Sequence, residues 1–309
     1  MTHIHFDTEK DGFYGAYWEC KFPTDRVIIA MLGDDPEDYM AKCAVKWLLR
    51  LGVNVLTMSP AKKCYDYHNY PIERVEAALA WAKKHGNKKF GIAGASTTGT
   101  LALTAASLIP DFTLTIAMTP SDFVWQGFAQ GNRDGCKEWP IKNESLFTYR
   151  GNPLPYMPFC YEHPRYYQVM TEEAKAKNSM LASCKIFDDS EVAHPITEDE
   201  FIKVENIKGN LVLIGAEDDT LWNTAKYIRR MQKRLDSHPH SCTAEAMIYE
   251  HGTHFVFPDS ILKIMLPIGS SLLVSLAFGN SKPYSKECKK TRIDIDNRMK
   301  KAIIDWKNS

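Results

Sequence analysis

Three groups of residues have the types and the order needed for acyl chemistry through a serine nucleophile. The first is Gly94-Ala95-Ser96-Thr97-Thr98-Gly99, which follows an apolar run and precedes the small-residue run Leu101-Ala102-Leu103-Thr104-Ala105-Ala106. This junction reads as strand, sharp turn and helix. Gly94, two places before the serine, leaves room for the backbone to reverse, so that Ser96 is lifted to the mouth of a sheet. The N–H of Thr97, at the start of a helix whose dipole favours negative charge, points toward any oxyanion formed there. The turn departs from Gly-x-Ser-x-Gly by a β-branched Thr98, with Gly99 one place late.

The second group is Asp218-Asp219, just beyond the apolar run Leu211-Val212-Leu213-Ile214-Gly215-Ala216, and the third is His254, beyond the run Ala244-Glu245-Ala246-Met247-Ile248-Tyr249. A histidine takes the serine proton as general base, and a carboxylate fixes its tautomer and stabilises the imidazolium. Either aspartate suits that role, and either suits capping of the helix that follows. His251 rivals His254, or is only a loop histidine. A second oxyanion donor is expected from the loop at Gly33-Asp34, where glycine lets the backbone approach. Cys64, beside Lys62 and Lys63, reads either as a low-pKa thiol or as an ordinary loop cysteine.

These residues need a frame that brings them to one edge. Residues 26–32 form a continuous apolar strand of the kind buried on both faces. Asp35 as N-cap and Pro36 at the first helical position then predict a helix running to Arg50, closed by Gly52. Strand 53–58, helix 71–85, the Ser96 strand and helix, and strand 112–118 follow. Strand 209–216, helix 222–235, strand 243–249 and a helical C-terminus complete the order. Two short strands around Asp11-Gly12 make an edge hairpin. Repeated strand and helix with short links means a mostly parallel, doubly wound sheet with helices on both faces, and ligands bind at the carboxyl ends of such strands. Serine, aspartate and histidine fall there in the chain order of the α/β-hydrolase triad.

Between about residues 121 and 195 the periodicity breaks among prolines and aromatic residues. That stretch reads as a cap inserted over the strand ends, with short helices near 161–170 and 171–182, in a chain of 309 residues forming one domain. Lys and Arg total 38 against 38 Asp and Glu, so net charge argues neither for nucleic acid nor for an anionic membrane as partner. Eight cysteines without a C-x-x-C pair, and an N-terminus without an apolar signal region, point to the cytoplasm. The most apolar run, 264–278, is interrupted by Pro267 and Gly269 and is expected as a buried helix, too short to span a membrane.

With these residues placed, the chain from about Arg26 onward resembles the α/β-hydrolase domain shared by acyl-CoA thioesterases and bile acid-CoA:amino acid N-acyltransferases. The resemblance rests on the Gly94-Ala95-Ser96 elbow, on Glu217-Asp218-Asp219-Thr220-Leu221-Trp222 and on Gly252-Thr253-His254-Phe255 with Pro258 after it. It implies Asp219, three residues before the tryptophan, as the triad acid. It also implies hydrolysis rather than transfer, because the family's acyltransferases carry cysteine where Ser96 stands. Family members with an additional N-terminal β-sandwich have a longer segment ahead of the first core strand, so the expectation is the hydrolase domain alone.

The expected activity is hydrolysis of an acyl thioester, an acyl-CoA being the small-molecule partner, with no cofactor and no metal. Aromatic residues of the cap would hold the acyl chain, and Lys62, Lys63, Arg133, Arg150 and Arg165 at the rim would meet CoA phosphates. Two alternatives stand beside it: a carboxylesterase or dienelactone-hydrolase-like enzyme using the same residues, and a non-catalytic protein that binds a ligand under its cap.

Overall fold

Alternation of apolar strands with amphipathic helices produces one eight-stranded sheet. The computed structural model describes residues 3–31 and 33–309, with the backbone alone for Asn132 and Arg133. Leu32, expected as the last residue of an inner strand, lies outside the described residues. The sheet strands are β1 (His3–Phe6), β2 (Tyr14–Trp18), β3 (Arg26–Met31), β4 (Asn54–Ser59), β5 (Lys89–Ala95) and β6 (Phe112–Met118). After the hairpin strands β7 (Gln126–Arg133) and β8 (Cys136–Ser145), β9 (Asn210–Ala216) and β10 (Thr243–Tyr249) return to it. Their order across the sheet is β1-β2-β4-β3-β5-β6-β9-β10. Only β1 and β2 run antiparallel to their neighbours; from β4 to β10 every pairing is parallel. The fold is the expected α/β class with a mostly parallel, doubly wound sheet.

Each sheet face is sealed by its own apolar cluster. On one side, helices α2 (Glu73–Lys84), α3 (Thr97–Leu108) and α6 (Thr224–Ser237) present Leu79, Leu103, Ile228 and Met231 to Ile29, Ile92 and Leu213 of the strands. On the other, α1 (Tyr39–Arg50) and the C-terminal helix α9 (Ser285–Asn308) bring Val45, Trp47, Met299 and Trp306 onto Ile28, Val55 and Ile214. Because both faces are covered, the inner strands are apolar at consecutive positions; each fully buried Ile, Leu or Val contributes about 1.5–3 kcal/mol.

Three local expectations are corrected. The N-cap of α1 is Asp38, not Asp35: the Asp38 carboxylate accepts from the Ala41 N–H at 2.6 Å, while Asp35 and Pro36 belong to the preceding turn. Asp-Pro is a good helix start, but Asp38 offers the same cap directly before the amphipathic run Tyr39–Arg50. The run 264–278 is no buried helix. It forms α7 (Asp259–Met265) and α8 (Ser270–Ala277), bent by 98° about Pro267 and Gly269, and Leu272 and Leu276 are exposed. No single helix among the described residues is long and apolar enough to cross a membrane.

The third correction concerns the segment leaving the sheet at Met118 and rejoining it at Asn210. Its helices are α4 (Arg165–Ala176) and α5 (Cys184–Ala193), rather than one on each side of position 170. Thr171 does not end the first helix, because its hydroxyl bonds back to the Gln168 carbonyl at 2.8 Å inside it. The segment also contains the β7–β8 hairpin, whose turn is Asp134-Gly135 and whose register shifts twice at irregularities. Those shifts destroy the alternation by which the strands would have been recognised.

Candidate active site

Ser96 sits between β5 and α3 with φ 61° and ψ −131°, a conformation costing about 1–3 kcal/mol in a non-glycine residue. Packing on both sides imposes it. A side chain at Gly94 would run into the Thr98 carbonyl, and one at Gly99 would lie 2.7 Å from the Met118 carbonyl of β6. Thr98, the departure from the usual turn, is built in: its Oγ1 accepts from the Ala95 N–H at 3.0 Å and lies 2.5 Å from the Met31 carbonyl at the end of β3. Its hydroxyl thus ties the elbow to the neighbouring strand. Among the described residues the Thr97 N–H, at the first turn of α3, has no hydrogen-bond acceptor.

His254 reaches the serine from the loop after β10. Its Nε2 lies 2.8 Å from Ser96 Oγ, and its Nδ1 lies 2.8 Å and 3.0 Å from the two Asp219 carboxylate oxygens. The Asp219 side chain is fully buried and is held in turn by the Thr224 hydroxyl at 3.1 Å and the Leu221 N–H at 2.9 Å. Trp222 stands edge-on to the imidazole, 4.8 Å between ring centres, and its indole N–H donates to the Thr119 carbonyl. An unbroken hydrogen-bonded path therefore runs from hydroxyl to imidazole to carboxylate, shielded from water at its acid end.

The neighbouring acid has a different task. Asp218 Oδ1 accepts from the Gly252 and Thr253 N–H groups at 2.9 Å and 2.7 Å, which fixes the turn carrying His254, with Thr253 at φ 59°. Neither aspartate caps α6; Asn223 does, accepting from the Lys226 N–H. His251 faces Asp218 at 3.5 Å and stacks on Tyr284, away from the serine. Cys64 is no activated thiol: burial pushes its pKa up.

Ser96 and His254 open into a cavity of about 390 Å³ lined mainly by Trp125, Phe128, Met170, Phe187, Trp222 and Phe255. Half of that lining comes from the segment between β6 and β9. Gly33 and Asp34 are not among the described residues lining it; Asp34 instead borders a surface hollow that also contains Lys62, Lys63, Glu37 and Asp38. Tyr65 lines the cavity close to the elbow. Burial pushes its phenol up to about 12, opposed by hydrogen bonds from the Thr97 hydroxyl and the Thr98 N–H. Sequence reasoning missed Tyr65 because one of three tyrosines in residues 65–70 carries no spacing signal. No lysine or arginine is among the described lining residues. Arg150 is engaged by Glu76, Arg165 by Glu172, and the Arg133 side chain lies outside the described residues.

Residues 71–262, well over half of the chain, match the family model described as "BAAT / Acyl-CoA thioester hydrolase C terminal". The chain belongs to this family. Membership makes it a hydrolase of the ester and thioester class, and the matched span contains Ser96, Asp219 and His254. Solved structures similar to this family member include the esterase Pf2001 of Pyrococcus furiosus, at 15% identity and TM-score 0.46, covering 89% of this chain and 88% of that one. Others are Est1E of Butyrivibrio proteoclasticus (11%, TM-score 0.44, 95% and 98% covered) and a putative dienelactone hydrolase of Klebsiella pneumoniae (9%, 0.49, 94% and 92%). No curated protein matches the chain.

Proposed function

We propose that this hydrolase cleaves acyl thioesters through Ser96 as nucleophile, His254 as general base and acid, and Asp219 as the carboxylate that orients the imidazole. The observation carrying this reading is the hydroxyl–imidazole–carboxylate path, with 2.8 Å at each of its two links, opening into an apolar cavity. Ser96 Oγ attacks the acyl carbonyl as its proton passes to His254 Nε2. Collapse of the tetrahedral adduct breaks the C–S bond, and the departing thiolate, of pKa about 8.5 by analogy with cysteine, takes the imidazolium proton as it leaves, which returns His254 to its neutral form. Water, deprotonated by His254, then attacks the acyl-serine and releases the acid.

The first oxyanion donor is the Thr97 N–H. We assign the second to Tyr65 in place of the Gly33-Asp34 loop. It lines the cavity together with Ser96 and Thr97, which puts a phenol O–H beside the elbow as a donor for an anion there. The segment around residues 121–195 acts as a cap over a single hydrolase domain, and its rings receive the acyl chain. Eight unpaired cysteines fit a cytoplasmic setting.

An oxygen ester meets the same machinery, and this second reading is favoured by one observation: Arg150 and Arg165, expected to bind CoA phosphates, are held by glutamates. Turnover of acyl-CoA against p-nitrophenyl esters of equal chain length separates the two. A fluorophosphonate probe is expected to label the wild type and not Ser96→Ala. An unlabelled, folded wild type would leave ligand binding without catalysis as the function.

A further inference from the structure

One carboxyl group stands in the wall of the acyl cavity and takes no part in the proposed chemistry. Glu138, on β8, is one of the cavity-lining residues. Tyr166 Oη donates to its Oε1 at 2.9 Å and Gln130 Nε2 to its Oε2 at 3.1 Å. Both donors are neutral, and no lysine, arginine or histidine among the described residues pairs with it. Burial raises its pKa, and the two hydrogen bonds only partly oppose that. Glu138 is half-buried, and in a lining that is otherwise largely aromatic it is an acidic hydrogen-bond acceptor facing the cavity without a counter-charge among the described residues. Each oxygen, holding one hydrogen bond, retains a lone pair for a further donor.

We infer that Glu138, with Gln130 and Tyr166, forms a polar subsite in the acyl cavity that selects acyl groups bearing a hydroxyl. The inference rests on the acyl-hydrolase reading of Ser96. A hydroxyl suits the site because it donates to a carboxylate and can also accept from a carboxylic acid, so it fits Glu138 in either protonation state. A second carboxylate on the acyl group is repelled. Because Tyr166 and Gln130 satisfy Glu138 in part even without ligand, an unsubstituted chain is disfavoured moderately, by about tenfold, and not by the far larger factor that follows when a buried polar group is left wholly unpaired.

The test compares dodecanoyl-CoA with dodecanoyl-CoAs carrying one hydroxyl at successive carbons, in the wild type, Glu138→Leu and Glu138→Gln. Expected for the wild type is one hydroxyl position with kcat/KM about tenfold above the unsubstituted chain. Glu138→Leu removes that preference, bringing kcat/KM of the favoured hydroxy isomer and of the unsubstituted chain to within a factor of about two of each other; Glu138→Gln, still able to accept from Tyr166, keeps part of it. Equal rates at all positions in the wild type, or a Glu138→Leu variant slowed alike on every substrate as for a mere latch between β8 and α4, overturns the subsite. Should the wild type cleave none of the CoA esters, the thioester reading fails by itself. The subsite is then judged by calorimetry of hydroxydodecanoic acids against dodecanoic acid on Ser96→Ala: about tenfold tighter binding of one isomer supports it, and equal affinities overturn it.

Discussion

The floor and the roof of the cavity are held together by different forces. The floor is the carboxyl edge of β5, β6 and β9, where parallel ladders and two apolar clusters fix the backbone and the elbow is squeezed between Met31, Met118 and α3. The roof, between β6 and β9, is attached by apolar side chains such as Phe123, Phe147 and Phe187 that join the cluster on the α6 face, and electrostatically by two arginines one turn apart on α6. Arg230 grips Asp122 at 2.6 Å and 2.7 Å and Glu191 at 2.8 Å, while Arg234 pairs with Glu205 and Glu198. A backbone-built floor suits groups that must be placed to a fraction of an ångström, whereas a roof held by side chains varies without disturbing them. Chemistry is thereby assigned to the floor and substrate choice to the roof.

The sharpest way to break this division is at the relay. Ser96→Ala is expected to lower kcat about 10⁴- to 10⁶-fold with the fold intact, measured by acyl-CoA or ester hydrolysis together with circular dichroism. Asp219→Asn should cost about 10⁴-fold, because the amide favours the wrong imidazole tautomer. Asp218→Asn, which loosens only the turn at Gly252 and Thr253, should cost far less. Equal losses in the two variants would mean that the acids are not divided as their hydrogen bonds indicate.

What was legible in the sequence follows the same division. The inner strands are buried on both faces, so their apolar runs are continuous, and each ends at the residue that the chemistry needs. Ser96, the pair Asp218-Asp219 and His254 could therefore be placed on one sheet edge by order along the chain, while the choice of Asp219 within the pair came from the family resemblance. The roof carried no comparable pattern: β7 and β8 are broken by register shifts, and α4 continues through a threonine that looks like a boundary. Glu138 and Tyr65 matter only through which surface they face, and that is set by the hairpin and by the loop after β4. The N-cap at Asp38 was missed because two aspartates three residues apart offer the same capping chemistry.

The roof itself is broken most severely at Arg230. Asp122 is 2% exposed, so Arg230→Met leaves a buried carboxylate without its partner and should destabilise the protein by about 3–5 kcal/mol in urea unfolding, with Asp122→Asn in the same chain restoring part of it. If the roof governs substrate choice, the variant's KM rises more than its kcat falls. Tyr65→Phe sharpens the boundary between the regions, since this residue follows the floor strand β4 yet faces the cavity. As an oxyanion donor it should lower kcat about 10²-fold with little change in KM, and a change in KM alone would return Tyr65 to the acyl wall.

The smallest expected effect is the pH response of the outer tie. Hydrogen bonds from Arg234 and Lys203 hold Glu198 down at about 2, below its ordinary 4.5. A folded-state value below the unfolded one means that the ties stabilise the protein above pH about 4.5 and that this contribution fades as pH falls toward 2. With the Glu198 side chain 64% exposed, solvent screening keeps the contribution well under about 1 kcal/mol. The stability difference between wild type and Glu198→Gln should therefore be a few tenths of a kcal/mol at pH 7, shrink by more than half on acidification to pH 3, and shrink likewise in high salt. A difference that holds constant across that range would show that Glu198 acts through packing, and would move the electrostatic attachment of the roof wholly onto Asp122, Glu191 and Glu205.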